Sequence, residues 1–450
     1  MTNDTICALA TPNGIGAIGV IRVSGKDAKS ITSKVFSKNL EGTVSHTSHF
    51  GTIKNPDGAI VDEVLVTVFD TGKSFTGEES VEIGCHGSPY IQQQIIQLLL
   101  HSGCRMAQPG EFTQRAFLNG QMDLSQAEAV ADVIAAQSRG AHNIAIKQLR
   151  GNFSNKLKEL REKLIHFASL VELELDFAEE DVEFADRTEL KALVSDVLAY
   201  IKRLAQSFEL GNAIKNGVPV AIVGAPNTGK STLLNQLLED DRAIVSNIAG
   251  TTRDVIEETL NIDGILFRLI DTAGIRDNAE EIEALGIERS REKIKQATVV
   301  LCLVDSSDPK GLEAGRNLAT SIRDAHPDKK VLLVLNKSDL KMPQTEEGAM
   351  AISAKEGTNM NDLKSWMVNS VSGDFDLAEE TIVSNARHYD ALLRTSESLE
   401  KALEGLETGI TGDFVAMDIR QAMYELGQIT GDISTDDLLG NIFANFCIGK

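Results

Sequence analysis

Nine residues carry the plainest chemistry in this 450-residue chain: Gly224-Ala225-Pro226-Asn227-Thr228-Gly229-Lys230-Ser231-Thr232. They fit the pattern of Gly, four residues, then Gly-Lys-Ser/Thr without a mismatch. The apolar run Val220 to Val223 before them reads as a buried parallel strand, and Thr232 to Leu238 after them as a helix. Strand, loop and helix in that order are the context a phosphate cradle needs. Successive backbone N–H groups and the positive helix end would face the phosphates. Lys230 would reach the β and γ phosphates, and the Ser231 hydroxyl would sit on Mg²⁺. The stretch predicts a nucleoside triphosphate site.

Further motifs say which nucleotide. Gly250-Thr251-Thr252 follows the cradle, with Thr252 as the natural second hydroxyl ligand of the magnesium. A hairpin is then predicted, Glu258 to Ile262 and Ile265 to Ile270 about the turn Asp263-Gly264. Its second strand runs into Asp271-Thr272-Ala273-Gly274, where the carboxylate can hold Mg²⁺ through water and the glycine N–H can approach the γ-phosphate. The strand Val331 to Leu335 leads to Asn336-Lys337-Ser338-Asp339. An aspartate there can accept from guanine N1–H and the 2-amino group, which adenine cannot offer, and an unpaired buried acceptor is costly. Ser353-Ala354-Lys355 would supply a backbone N–H to guanine O6. Four motifs in this order predict GTP rather than ATP.

One position departs from Ras-type switches, where a glutamine after Asp-x-x-Gly orients the attacking water; here it is Ile275. Arg276 and the acids Glu280, Glu281 and Glu283 are candidates for the missing role. A monovalent cation liganded by Asn227 is the alternative, and Asn227 is equally suited to forming the turn.

The elements that must position these groups fall into three blocks. Residues 1–118 read as α+β, with strands at Ile6 to Leu9, Gly19 to Val23 and Ile60 to Phe69 and a helix at Tyr90 to Leu100. The glycines at 14, 16 and 19 mark a tight turn, not a dinucleotide fingerprint, since no helix opens after them. Residues 119–215 and 373–450 read as an all-α bundle split by a doubly wound α/β domain at 216–372. Ser125-Gln-Ala-Glu128 and Asp186-Arg-Thr-Glu189 look like capping boxes. Leu157, Leu160, Leu164, Phe167, Leu170, Val171 and Leu175 share one helical face. Ala386 to Leu406, Asp413 to Ile429 and Asp436 to Phe446 are predicted helices.

Net charge is −22, which disfavours non-specific binding to a phosphate backbone. The one basic cluster, Lys156, Lys158, Arg161 and Lys163, reads better as a solvated helix face. No apolar run approaches a membrane span, and Met1-Thr2-Asn3-Asp4 lacks the features of a signal peptide, so a cytoplasmic protein is expected. Five scattered cysteines without metal-ligand spacing suggest reduced thiols.

The cradle asparagine, Ile-Ala-Gly-Thr-Thr-Arg-Asp at 248–254, Asp-Thr-Ala-Gly-Ile at 271–275 and Asn-Lys-Ser-Asp resemble the GTPases that include the Era and Der ribosome-assembly proteins. Asp-Thr-Ile-Cys-Ala-Leu-Ala-Thr-Pro at 4–12, Arg-Ala-Phe-Leu-Asn-Gly-Gln-Met-Asp-Leu-Ser-Gln-Ala-Glu-Ala at 115–129 and the terminal Phe-Cys-Ile-Gly-Lys at 446–450 narrow this. Together they resemble the MnmE (TrmE) family of tRNA modification GTPases, over the whole chain. The resemblance implies a folate-binding, dimerising N-terminal domain for 5-formyl-tetrahydrofolate or a related folate, and a helical domain carrying a Ras-like P-loop G domain. It implies a homodimer that joins a FAD-dependent partner, MnmG, in a heterotetramer. That complex would place a carboxymethylaminomethyl or aminomethyl group on C5 of the wobble uridine of certain tRNAs.

Hydrolysis would need K⁺ and paired G domains, with Asn227, Ser246, Ile248 and Thr251 as K⁺ ligands, Glu283 orienting water and Arg276 at a switch position. The GTP contacts implied are Asn227 to Thr232, the run Ser246, Asn247, Ile248, Ala249, Gly250, Thr251 and Thr252, Asp271 to Gly274, Asn336 to Asp339 and Ser353 to Lys355. The folate contacts map to Arg22, Glu82, Gln121 and Lys450. Gln121 stands where family members often carry a basic residue; it can hydrogen-bond but brings no charge. Cys447 matches a cysteine with a suspected functional role. Most RNA affinity should come from the partner, so the chain alone is expected to bind tRNA weakly. The competing reading is an Era/Der-like switch in ribosome assembly, although no Lys/Arg-rich RNA-binding domain is present.

Overall fold

A computed structural model describes residues 4–176, 187–239, 258–270, 292–341, 348–373, 380–408, 410–444, 446, 448 and 449. The chain forms two compact units. One comprises Met1–Ile134, Ile146–Val197 and Arg394–Lys450, the other Ala135–Ala145 and Leu198–Leu393.

The first unit begins with β1 (Ile6–Leu9), β2 (Ile18–Ser24), α1 (Ala28–Val35), β3 (Thr47–Lys54), β4 (Ile60–Phe69), β5 (Ser80–His86), α2 (Pro89–Ser102), β6 (Arg105–Met106) and α3 (Glu111–Leu118). The sheet runs β3-β4-β5-β2-β1-β6, antiparallel except where β6 joins β1. Alternation along β4 explains its two faces: Val64, Val66 and Val68 are buried, while Glu63 and Leu65, on alternate positions, face outward. The buried set packs against Ile31 and Val35 of α1 and Ile95 and Leu99 of α2. Gly19 lies inside β2 rather than in the turn, because the Gln92 side chain occupies the space a Cβ would fill.

Next come α4 (Leu124–Ala135), α5 (Arg139–Leu149), α6 (Asn152–Asp176) and α7 (Arg187–Gln206). The cap of α4 sits two residues before the expected box. Asp123 Oδ1 accepts from Gln126 N (3.0 Å) and Gln126 Oε1 accepts from Asp123 N (2.9 Å). Ser125 was misread because it is already inside the helix, its hydroxyl donating to Asp123 Oδ1 at 2.8 Å. A carboxylate is the stronger acceptor for a helix's unpaired N–H groups, so Asp123 takes the position. On α6, Leu157, Leu160 and Leu164 are buried as one face; the side chains of Phe167, Leu170, Val171 and Leu175, like Asp186 of the second capping signal, lie outside the described residues.

The second unit continues with α8 (Phe208–Asn216), β7 (Val218–Val223), α9 (Lys230–Glu239), β8 (Glu258–Ile262), β9 (Ile265–Leu269), β10 (Val299–Asp305), α10 (Pro309–Ala325), β11 (Lys330–Asn336), β12 (Ala349–Ala351) and α11 (Met360–Ser372). The sheet order is β12-β11-β10-β7-β9-β8, parallel throughout except for the β8–β9 hairpin. Asp263 and Gly264 both have positive φ, 50° and 88°, as the expected two-residue turn requires. Strands β7, β10 and β11 are apolar along their length because helices cover both faces. The remaining helices are α12 (Ala386–Thr408), α13 (Gly412–Thr430) and α14 (Asp436–Ala444); within the first unit α13 packs along α6.

Among the described residues no helix is long and apolar enough to cross a membrane. Cys7, Cys85, Cys104 and Cys302 are free and buried, in keeping with the expected thiols.

Candidate functional site

The loop from β7 to α9 has the backbone of a phosphate cradle. Gly224 and Gly229 have φ of 156° and 96°, and Asn227 is left-handed at 63°. Side chains are excluded at both glycines. A Cβ on Gly224 would lie 2.2 Å from the Leu303 carbonyl oxygen, and one on Gly229 would lie 2.3 Å from Asn336 Nδ2. Thr228 Oγ1 donates to the Ala225 carbonyl (2.9 Å), which tightens the turn. Helix α9 opens at Lys230, and Leu233 N bonds to Gly229 O at 2.9 Å, which sets the positive end of the helix against the loop. Ser231 and Thr232 lie exposed on that turn.

Lys230 folds over the loop and donates to the carbonyls of Gly224 (2.9 Å) and Ala225 (2.8 Å). Burial, with a smaller contribution from Lys293, holds its pKa below the ordinary lysine value. A triphosphate would relieve that penalty by supplying the missing negative charge. Together the glycine constraints, the left-handed Asn227 and the desolvated lysine fit a polyphosphate.

Asn336 joins the cradle to the other motifs. Its Nδ2 donates to the Thr228 carbonyl (2.9 Å) and its Oδ1 accepts from Ala354 N (3.0 Å), and the residue is only 2% exposed. Both ends of one amide are therefore satisfied, by the phosphate loop on one side and the 353–355 loop on the other. Ser353 Oγ donates to Asp339 Oδ1 at 2.6 Å, fixing the carboxylate expected to read guanine. Lys337 pairs with Asp305 at 2.7 Å, and Lys355 lies exposed beside Glu356. A cavity of about 300 Å³ adjoins the loop, lined among others by Asn227, Thr228, Asp305, Asp308, Leu318 and Lys337.

The structure thus brings Asn227 to Thr232, Asn336 to Asp339 and Ser353 to Lys355 into one hydrogen-bonded frame. Ser246 to Thr252, Asp271 to Gly274, Arg276, Glu283, Cys447 and Lys450 lie outside the described residues. Strand β9, which leads to Asp271, pairs in parallel with β7 (Leu269 opposite Val220), so both strands end on the same edge of the sheet. Sequence reasoning missed Asp305; the signal was the apolar run Val299 to Val304 ending in a carboxylate.

In the first unit Arg22 and Glu82 are cross-strand partners on β2 and β5. Arg22 Nε and Nη2 reach Glu82 Oε1 at 3.0 and 2.9 Å, and the guanidinium lies over the rings of Phe75 and Phe112, at 5.2 and 5.7 Å. Gln121 packs against Gly77, two residues from Phe75. Three of the four expected folate residues therefore share one neighbourhood, but the two charged ones neutralise each other.

Beside them stands an ion network the sequence did not suggest. Arg115, 7% exposed at its side chain, binds Asp4 (2.7 Å), Glu78 (3.2 Å) and Glu111 (2.9 Å). Arg105 binds Asp4 and Glu111 as well. The Arg105 contact is the main cause that brings the Asp4 carboxyl down to about 2. The basic face of α6 is likewise paired off: Lys156 and Lys163 with Glu159, Lys158 with Asp123 and Arg161 with Asp432. Each cation there lies beside a carboxylate, Lys156 and Lys163 sharing Glu159, which agrees with a solvated face rather than a nucleic-acid surface.

Comparison with known proteins covers both units. Residues 5–121 match the family model described as GTP-binding protein TrmE N-terminus, and residues 124–447 match that of the MnmE helical domain. A tRNA modification GTPase MnmE of Flavobacterium psychrophilum is 54% identical over 463 residues, covering 100% of this chain and 99% of that protein. The protein of the same name from Cytophaga hutchinsonii is 52% identical over 454 residues, covering 99% and 98%. That from Bacteroides thetaiotaomicron is 50% identical over 469 residues, covering all of both chains. With a nucleotide-type loop framed by guanine-type motifs, and this likeness from end to end, the chain belongs to the MnmE (TrmE) family.

Proposed function

We propose that this member of the MnmE family binds GTP in the frame held by Asn336 and hydrolyses it in the course of tRNA modification. The observation that carries the reading is the Asn336 amide. By bonding to Thr228 O and Ala354 N at once, it sets the phosphate loop and the base-recognition loop at a fixed separation. One ligand with a triphosphate at one end and guanine at the other suits that frame, and the relatives' shared name agrees with it.

In this reading residues 216–372 are a P-loop G domain inserted in a helical domain of 119–215 and 373–450, after an N-terminal domain of 1–118. Lys230 exchanges its loop carbonyls for phosphate oxygens, and Asp339 accepts from the guanine edge. Ser231, Thr252 and, through water, Asp271 would hold Mg²⁺, which neutralises charge on the phosphates. Asn227, Ser246, Ile248 and Thr251 would hold K⁺, which takes the place of an arginine finger when two copies meet. Glu283 and Arg276 complete the hydrolytic site. Arg22, Glu82, Gln121 and Lys450 would hold a folate one-carbon carrier, at the cost of opening the Arg22–Glu82 pair. A FAD-dependent MnmG partner, a cytoplasmic setting and the wobble uridine as target complete the proposal.

The test is mass spectrometry of wobble uridines in cells that lack the protein. Loss of the C5 substituent is expected; unchanged nucleosides would favour the ribosome-assembly role.

A further inference from the structure

Asp305, the last residue of β10, is a carboxylate at the nucleotide frame that belongs to none of the motifs. Both of its oxygens are engaged. Oδ1 accepts from the N–H (2.9 Å) and the hydroxyl (2.6 Å) of Ser307, and Oδ2 accepts from Lys337 Nζ (2.7 Å). The Ser307 bonds come from the turn that follows the strand, so local backbone aims the carboxylate independently of Lys337. Parallel pairing then sets Asp305 opposite Asn336, the residue before Lys337. Lys337 leaves β11 in the left-handed region, φ 64°, which a residue with a side chain adopts only when its surroundings hold it there. The ion pair supplies that hold from one side, and the Asn336 bonds supply it from the other.

Lys230 and Lys337 therefore stand in different electrostatic settings. Lys230 lies on the cradle, and among the described residues its bonds go to the neutral carbonyls of Gly224 and Ala225. Lys337 has its charge cancelled by Asp305, while the residue lines the cavity beside residues 224–228. Freed from Asp305, a lysine on a flexible four-carbon stem would turn to whatever anion lay in reach. Tied to it, the stem becomes an apolar strip of fixed orientation, suited to the face of a planar heterocycle.

We infer that Asp305 is a positioning residue of the nucleotide site, holding Lys337 so that its hydrocarbon stem rather than its ammonium meets the base of the bound nucleotide. The inference rests on the GTP reading above and names a residue that reading does not use.

A double-mutant cycle on the full chain tests it. Asp305→Asn, Lys337→Ala and the double variant are titrated calorimetrically with GTP, GDP and inorganic tripolyphosphate. Each single change should weaken GTP and GDP alike, by about tenfold. The double variant should bind no more weakly than Lys337→Ala alone, and tripolyphosphate affinity should stay unchanged throughout. Asp305→Glu should recover part of the loss. Losses that multiply in the double variant would overturn the inference, as would unchanged GTP affinity in Asp305→Asn or a parallel loss of tripolyphosphate.

If Asp305→Asn fails to fold, Ser307→Ala serves, since it keeps the carboxylate and removes one donor. It should weaken GTP by about two- to threefold and have no effect in the Lys337→Ala background; an equal effect in both backgrounds would overturn the inference. A wild-type chain that binds GTP and ATP equally would end the GTP reading, whereas one that prefers GTP and ignores the Asp305 changes would end only this inference.

Discussion

The nucleotide frame and the Arg22 neighbourhood differ in what their polar groups are bonded to. Around the cradle, among the described residues, Lys230 donates to backbone carbonyls, and backbone and one amide do the framing. Around Arg22 each charge faces an opposite charge: Arg22 with Glu82, Arg115 with Asp4, Glu78 and Glu111. The first arrangement is ready for an anion, because a neutral partner is easily exchanged for phosphate. The second must break an ion pair before either partner can serve a ligand. The difference teaches that a cluster of charged residues is not in itself an open binding site; what already satisfies the charges decides.

The largest expected effect tests the open side of that contrast. Asp339→Asn should lower GTP affinity by at least about a hundredfold, because an amide cannot accept both guanine N–H bonds and sets a donor against a donor. The same variant should gain affinity for xanthosine triphosphate, whose C2 oxygen accepts from the new amide. Competition binding with the two nucleotides measures both changes.

Gly229→Ala comes next. The new Cβ would meet Asn336 Nδ2 at 2.3 Å in a backbone with φ 96°. Stability should fall by about 1–3 kcal/mol, and GTP binding should fall with it; melting curves and titrations on one preparation would show the two losses together. Unchanged melting with full GTP affinity would mean that Asn336 is not a fixed bridge.

The closed side is expected to respond more weakly. The Arg22 and Glu82 side chains are 20% and 32% exposed, so breaking their pair should cost under about 1 kcal/mol of stability. If they hold folate, Arg22→Ala should abolish calorimetric binding of 5-formyl-tetrahydrofolate while leaving GTP affinity intact. Retained folate binding would remove Arg22 from that role.

A further effect concerns acid. The Asp4 carboxyl is depressed from 3.8 to about 2, chiefly by its hydrogen bond to Arg105. A lowered folded-state value means that its stabilisation is complete above pH 3.8 and is lost as pH falls through about 2. Partial exposure of Asp4 limits the amount to about 1 kcal/mol. Arg105→Ala should flatten this part of an acid titration of stability; an unchanged acid limb would show that the pair contributes nothing.

How much the sequence disclosed follows from how each part is built. The cradle, the Asp263-Gly264 hairpin and Asn336 to Asp339 were legible because their chemistry is local: fixed spacing, positive-φ residues and a flanking apolar run lie within a dozen residues. Strands β1 and β4 and helices α2, α12 and α13 were legible from periodicity. Asp305 was not, since its meaning depends on Lys337, thirty-two positions away and brought near by parallel pairing. The Arg115 network hides for the same reason, with partners up to 111 positions apart. The cap at Asp123 was missed because two capping patterns overlap there, and only geometry shows which side chain takes the N–H groups. The four lysines and arginines of α6 read as a solvated face from the sequence, and their carboxylates on the same helix, at α13's end and at the start of α4 agree with that reading.

The account's central claim is that one frame, held by Asn336, grips a guanine nucleotide end to end. The direct measurement is calorimetric titration of the full chain with GTP and with ATP, each with Mg²⁺, for the natural protein and for Asn336→Ala. The account predicts saturable GTP binding, no measurable ATP binding, and loss of both affinity and discrimination in the variant. Equal affinity for the two nucleotides, or undiminished GTP preference without the Asn336 amide, would contradict it.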